Sequence, residues 1–220
     1  MTLGELMDVA RYRIDDRIAP YLWSRSELLE YAIDAQREAC RRSRLIVDSS
    51  TAAICQVALT AATPTYALDS RIIFIKRVKL TGQVTPLSRM HSDDLDCNRP
   101  GWEDDTGLPV GYVPNMDSNA LRPYPTPDAD YTANLTVIRE PLVDMDDDDD
   151  VPEIAGRYHL GLVNWMVHRA FLKPDAEAFN PKGSDAALAM FEAEFGKRSS
   201  AQDEAWIARE HGYFPTEGVY

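Results

Sequence analysis

A chain of 220 residues with 45% hydrophobic and 27% charged side chains has room for one large or two small domains, and enough apolar surface for a core. A formal net charge of −13 argues against nucleic-acid binding over most of the surface, because affinity for phosphate depends on clustered Lys and Arg. There is no run of membrane-span length and no basic-then-apolar opening, and Cys40, Cys55 and Cys97 lack metal or redox spacing; reduced thiols in a cytosolic protein without a signal peptide are expected.

Thr2 and Glu5 have capping-box spacing, so a helix is predicted from Leu3, with Leu3, Leu6, Ala10, Ile14 and Ile18 on one face and Pro20 as its stop. Ser24 and Glu27 repeat the capping box for a second helix, and Trp23 and Leu28 form its hydrophobic staple. Leu28, Ala32, Ala35, Ala39 and Ile46 make a seam of mostly small residues that lets another helix approach closely. Arg37, Arg41, Arg42 and Arg44 gather in the later turns and read as a solvated end that complements the macrodipole.

From Thr51 the residues favour strands. Ile54–Leu59, Ile72–Leu80 and Ala133–Ile138 are short and β-branched, with turn-forming clusters between them. Their spacing predicts an antiparallel β-sandwich or barrel-like insertion over 51–150, closed by an acidic loop. That loop, Asp144 to Asp150, lacks the spacing and turn glycine of a calcium-binding EF-hand and is read as solvated.

After Pro152, Ile154, Tyr158, Leu162 and Trp165 recur at helical spacing, and so do Leu160, Val163, Val167 and Ala170. Only Arg157, Gly161, Asn164 and His168 leave a narrow polar or small strip. A helix is predicted from Pro152 to Lys173, and another from about Asp185 to Phe195 with Ala187, Leu188, Met190 and Phe191 as apolar positions. A helix so apolar must be covered, and the one starting after Ser24 is the leading partner. The expected fold is therefore α+β. A discontinuous helical bundle over 1–50 and 151–198 carries the β insertion of 51–150 and an extended C-terminal arm of 199–220. The arm places Trp206, Ile207, Tyr213, Phe214 and Tyr220 on a polar background; they either fold back on the parent domain or bury in another chain as partner-binding anchors.

No phosphate loop, dinucleotide fingerprint or nucleophile elbow occurs. His91, His159, His168 and His211 make no metal-ligand pairs, and His168 reads as a helix-contact histidine. Carboxylates are plentiful, but nothing local selects two of them. No catalytic residue, metal or cofactor is expected.

The segments WSRSELLEYAIDAQRE, TYALDSRIIFIKRVKL, GLPVGYV, RPYPTPDADYTANLTVIREP and VPEIAGRYHLGLVNWMVHRAF, with DAEAFN behind, span about Trp23 to Phe195. In that order they resemble the head-to-tail adaptor (connector, tail tubular protein A-like) family of tailed bacteriophages. The resemblance implies a non-enzymatic virion protein, made in the host cytoplasm and placed at the head–tail interface. It implies a homo-oligomeric ring of twelve copies below the portal protein. The ring is a platform for a tail nozzle or tail tube protein and a conduit for DNA that is not bound sequence-specifically. The Asp run and the aromatic arm lie outside the quoted segments. Two other classes are weighed against it. A tail-associated peptidoglycan-degrading glycosidase needs two carboxylates roughly 5–9.5 Å apart in a cleft. A carbohydrate- or protein-binding β module needs exposed aromatics, for which Trp102, Tyr112, Tyr124 and Tyr131 are the candidates.

Overall fold

A computed structural model describes residues 1–114, 119–175 and 177–200. The helices are α1 (Leu3–Arg13), α2 (Arg25–Ser43), α3 (Ala52–Cys55), α4 (Ser92–Asn98), α5 (His159–Phe171) and α6 (Pro181–Phe195). The strands are β1 (Ile46–Asp48), β2 (Gln56–Leu59), β3 (Tyr66–Ala67), β4 (Ile72–Leu80), β5 (Ser88–Arg89), β6 (Thr106–Gly107), β7 (Gly111–Pro114), β8 (Ala120–Tyr124), β9 (Thr126–Pro127) and β10 (Tyr131–Arg139). The α+β class is thus observed. The described chain forms two compact units, one from Met1–Ile46 with Arg139–Arg198 and one from Val47–Ile138.

In the first unit both capping boxes form: Thr2 with Glu5 at α1, and Ser24 with Glu27 at α2. The core joins Leu3, Leu6 and Ala10 of α1, Leu28, Ala32, Ala35 and Ala39 of α2, Leu162, Val163 and Met166 of α5, and Phe191 and Phe195 of α6. The alanine seam of α2 therefore packs in the same cluster as α5. α1 is shorter than its apolar pattern suggests. The chain turns at Asp15 in the left-handed region (φ 58°), and the buried carboxylate of Asp16 accepts from Arg11 and from the backbone N–H of Leu22 and Trp23. Ile18, expected on the apolar face, is 84% exposed as a result.

α5 also starts later than predicted, at His159, after a 3-10 turn at Gly156–Tyr158. The residues before it are held elsewhere. Glu153 donates its N–H to Gln36 Oε1 (3.0 Å), while its carboxylate accepts from Arg139 (2.5 Å) and from Leu142 N–H (2.8 Å). A side chain so committed fixes the segment as a strap, and the helix begins once the strap is released. α6 starts earlier than predicted: Asn180 caps it through Gly183 N–H, and Pro181 occupies the first turn, where its missing N–H costs nothing.

The acidic stretch is not simply solvated. The carbonyls of Asp150 and Asp148 accept the N–H groups of Leu3 (2.7 Å) and Gly4 (2.9 Å), satisfying donors that the first turn of α1 cannot pair internally. Asp150 also folds the loop on itself by accepting from Asp146 and Asp147 N–H. The arginines of α2 are likewise not all a solvated end. The side chain of Arg42 is only 5% exposed, pairs with Glu38 (2.9 Å) and lies over the rings of Trp165 and Phe191. Arg37 pairs with Asp144 (2.6 Å), and Arg44 terminates the helix in the left-handed region.

In the second unit β10 pairs with β1, β2 and β4, and a second sheet runs β3-β8-β7-β5. β6 and β9 form a small ribbon. β2–β10, β3–β8 and β7–β8 are antiparallel, as expected. β5–β7 and β6–β9 are parallel. A parallel pair requires a crossover, and α4 with the 3-10 turn at Trp102–Asp104 supplies it between β5 and β7. The sheets do not close into a barrel. Ile54, expected in a strand, sits in the short α3 before β2.

Candidate partner-binding surfaces

The five anchors read from the sequence, Trp206, Ile207, Tyr213, Phe214 and Tyr220, lie outside the described residues. Three other surfaces have a definite geometry, two in the first unit and one in the second.

The tip of the α1–α2 connection is hydrogen-bonded from within and exposes apolar side chains. Asp16 organises it from inside, Arg11 reaches 3.0 Å to the Trp23 carbonyl, and Ile18, Tyr12 and Tyr21 face solvent. Arg11 lies 4.0 Å over the Tyr21 ring and Arg17 5.1 Å over that of Tyr12. Lys173, beyond α5, ties this end together by donating to the Leu22 carbonyl and to Glu27, each at 2.8 Å. That ion pair, with the Ser24 N–H behind it, lowers the Glu27 carboxyl from its ordinary 4.5 to about 2. Because the folded value is depressed, the stabilisation is fully present above pH 4.5 and is lost as pH falls toward 2. Glu27→Gln is therefore expected to melt below the parent at neutral pH and to converge with it across that window. A constant gap down to pH 2 would show that Glu27 titrates normally.

The second surface is a groove of about 610 Å³ between α5 and α6, lined by Arg13, Arg157, Leu160, Gly161, Asn164, Met190 and Glu194. Leu160 and Met190, read as core positions, are 50% and 62% exposed, whereas Gly161, read as part of the outer strip, is buried. A Cβ at Gly161 would run into the Glu194 carboxylate and come within 2.8 Å of the Phe195 ring, so α6 can press onto α5 only at a glycine. Burial raises the Glu194 carboxyl above its usual range. It is the only acid among the lining residues, whereas a glycosidase needs a carboxylate pair.

The third surface is β4. Lys76 and Arg77 are exposed and Lys79 partly so. Arg71 just before them is taken up by Asp69 (2.8 Å), which it lowers to about 2. Among the described residues no carboxylate stands within ion-pair distance of Lys76, Arg77 or Lys79. This strip escaped the sequence reading. The available signal was four cations within nine residues of a chain with net charge −13.

Of the four aromatics considered as a platform, three are not exposed, and the fourth, Tyr131, is half-buried with its hydroxyl donating to Asp128 (2.7 Å). Trp102, Tyr112 and Tyr124 are buried, Trp102 and Tyr124 meet edge to face at 5.7 Å, and the Trp102 indole donates to Asp96. His168 is held by Ser184, whose Oγ lies 2.8 Å from its Nδ1, in the helix-contact role expected. His159 Nε2 is 2.9 Å from the Ile154 carbonyl. Burial pushes the Cys40 thiol up to about 12, with Glu153 and Glu140 adding to the effect, so it is held as the neutral thiol. Among the described residues no group of His, Cys, Asp and Glu is arranged to hold a metal ion, and no helix is long and apolar enough to cross a membrane.

The sequence pattern of one family, described as SU10 adaptor protein, matches residues 1–211. No curated protein matches the chain.

Proposed function

The chain belongs to the SU10 adaptor protein family, a family of phage structural adaptors, and from that premise we propose that it is the head-to-tail adaptor of its virion. Copies assemble as a ring of twelve below the portal protein. The ring presents a platform to the tail nozzle or tail tube protein and lets DNA pass. The observation that carries this reading is the extent of the family match, which runs through the β insertion and the acidic loop and continues past Trp206 and Ile207. The charge supports it as well: a conduit should not grip what passes through it, and an acidic subunit repels phosphate. In a closed ring each contact is heterologous, so two different faces of the subunit must complement each other. The discontinuous helical domain, 1–50 with 151–198, is the platform of the subunit, and residues 199–220 are its portal-docking arm.

The test is electron cryo-microscopy of the purified protein mixed with purified portal protein. A ring of adaptor density on one face of the portal, with twelve-fold averaging improving the map, is expected. Portal particles that remain bare at micromolar adaptor would reject the reading.

A further inference from the structure

Resting on the ring reading, we propose that neighbouring subunits are joined by an exchanged arm: Trp206 and Ile207 of one copy seat in the groove between α5 and α6 of the next. The rest of the arm, with Tyr213, Phe214 and Tyr220, continues beyond Gly212 to the portal.

The groove lies at the end of the bundle where α6 finishes and α5 begins. Gly161 meets Glu194 and Phe195 there, whereas Ser184, near the start of α6, meets His168, near the end of α5. Its apolar lining is open, since Leu160 is 50% and Met190 62% exposed and no described element covers them. Its volume of about 610 Å³ falls within the roughly 300–1,000 Å³ of pockets that take an organic group. At the rim Arg13 donates to Asn164 (2.5 Å) and Arg157 lies 4.8 Å over the Tyr158 ring, so both cations have uncharged partners. Such a groove fits two adjoining apolar side chains with acidic flanks. Residues 203–210, DEAWIARE, have that composition: Asp203 and Glu204 before the apolar pair suit Arg13 and Arg157, and Arg209 after it suits Glu194.

The way the chain leaves α6 selects a second copy as the source of the arm. Gly196 takes a positive φ (82°), which side chains disfavour, and turns the backbone. The Phe195 carbonyl accepts from Ser43 (2.7 Å), the Gly196 carbonyl accepts from Arg42 (3.2 Å), and Arg198 lies 3.8 Å from Glu38. All three partners belong to α2. Glu192 faces Arg42 as well (3.5 Å), and at about 100° per residue it stands roughly opposite Met190 on α6. The chain therefore leaves on the α2 flank of α6, while the groove opens on the other flank, beside α1 and α5. An arm that sets off along α2 leads away from its own groove, and a neighbour on that flank receives it. Arm and groove are two different faces of one subunit, which is the heterologous pairing a closed ring needs.

The experiment uses the full-length chain with Cys97→Ser, which removes the exposed thiol and leaves the buried Cys40 and Cys55. Met190→Cys is added in the groove and Ala205→Cys in the arm, a position that keeps both anchors. After mixing with portal protein and oxidation, a non-reducing gel should show a ladder of covalent multimers that neither single-cysteine chain gives. A second measurement needs no added cysteine. Leu160→Glu/Met190→Glu should raise the concentration for half-assembly on the portal, read by native mass spectrometry, about ten-fold or more, because a charge buried against Trp206 and Ile207 is disfavoured. Its melting temperature should match the parent, since both replaced side chains are exposed in the subunit. If the parent forms rings but the double-cysteine chain gives no ladder, only an internally linked monomer or none, the exchange is wrong and the ring stands. Rings from Leu160→Glu/Met190→Glu at the parent's concentration overturn it in the same way. If the parent forms no ring, the ring reading falls and takes the exchange with it.

Discussion

Replacing Trp165 by alanine is expected to cost the helical unit about 3–5 kcal/mol, the range for removing a large buried aromatic. The indole is 8% exposed and packs 5.0 Å from the Phe191 ring and 5.3 Å from that of His168. The guanidinium of Arg42 lies 5.2 Å over it, and Nε1–H donates to Asp34 at 2.9 Å. Truncation therefore does more than open a cavity. It removes the aromatic face under a buried cation and takes a donor from a carboxylate. Trp165→Phe separates these contributions: it keeps most of the ring stacking, loses the donor, and should cost about 1–2 kcal/mol. Urea unfolding of the three proteins measures both. An unchanged midpoint for Trp165→Ala would show that α5 is not the core element described above.

Deleting residues 199–220 is expected to leave a folded subunit, melting close to the parent, that no longer binds the portal. The motive is compositional: Trp206, Ile207, Tyr213, Phe214 and Tyr220 share no periodic face in an otherwise polar stretch interrupted by Gly and Pro. Fixing the backbone of an arm costs about 1–2 kcal/mol per residue. The arm can dock only if its large side chains fill pockets on the partner, where such anchors are commonly worth about 2 kcal/mol or more each on truncation. A pull-down of portal with full-length and shortened protein decides the matter. Equal binding would remove the arm from the docking interface. A shortened chain that fails to fold would instead assign the aromatics to the subunit's own core.

What the sequence made legible was mostly local. Thr2 with Glu5 and Ser24 with Glu27 announced their helices because a capping box needs only four consecutive residues. β4 and β10 were visible through their β-branched runs. The misread places depend on partners far along the chain. Pro152 looks like a helix start until Glu153 is seen to be held by Arg139 and Gln36. Arg42 looks like a solvated helix end until Trp165 and Phe191 close over it. Leu160 and Met190 fit an apolar stripe by period, yet the close approach at Gly161 turns both outward. Of the candidate surfaces, the acidic loop was visible as composition alone. The groove between α5 and α6 depends on a packing that no short window contains.

The two hydrogen bonds from Leu3 and Gly4 to the carbonyls of Asp150 and Asp148 also bear on how the protein is made. The leading amides of α1 find these partners only after nearly 150 further residues have been added, on the order of ten to thirty seconds of synthesis. Until then the apolar faces of α1 and α2 await α5 and α6, whereas Val47–Ile138 is a continuous stretch already complete. The Val47–Ile138 unit can fold during translation before the discontinuous unit that flanks it in sequence. The helical unit is thus complete only when α5 and α6 have emerged.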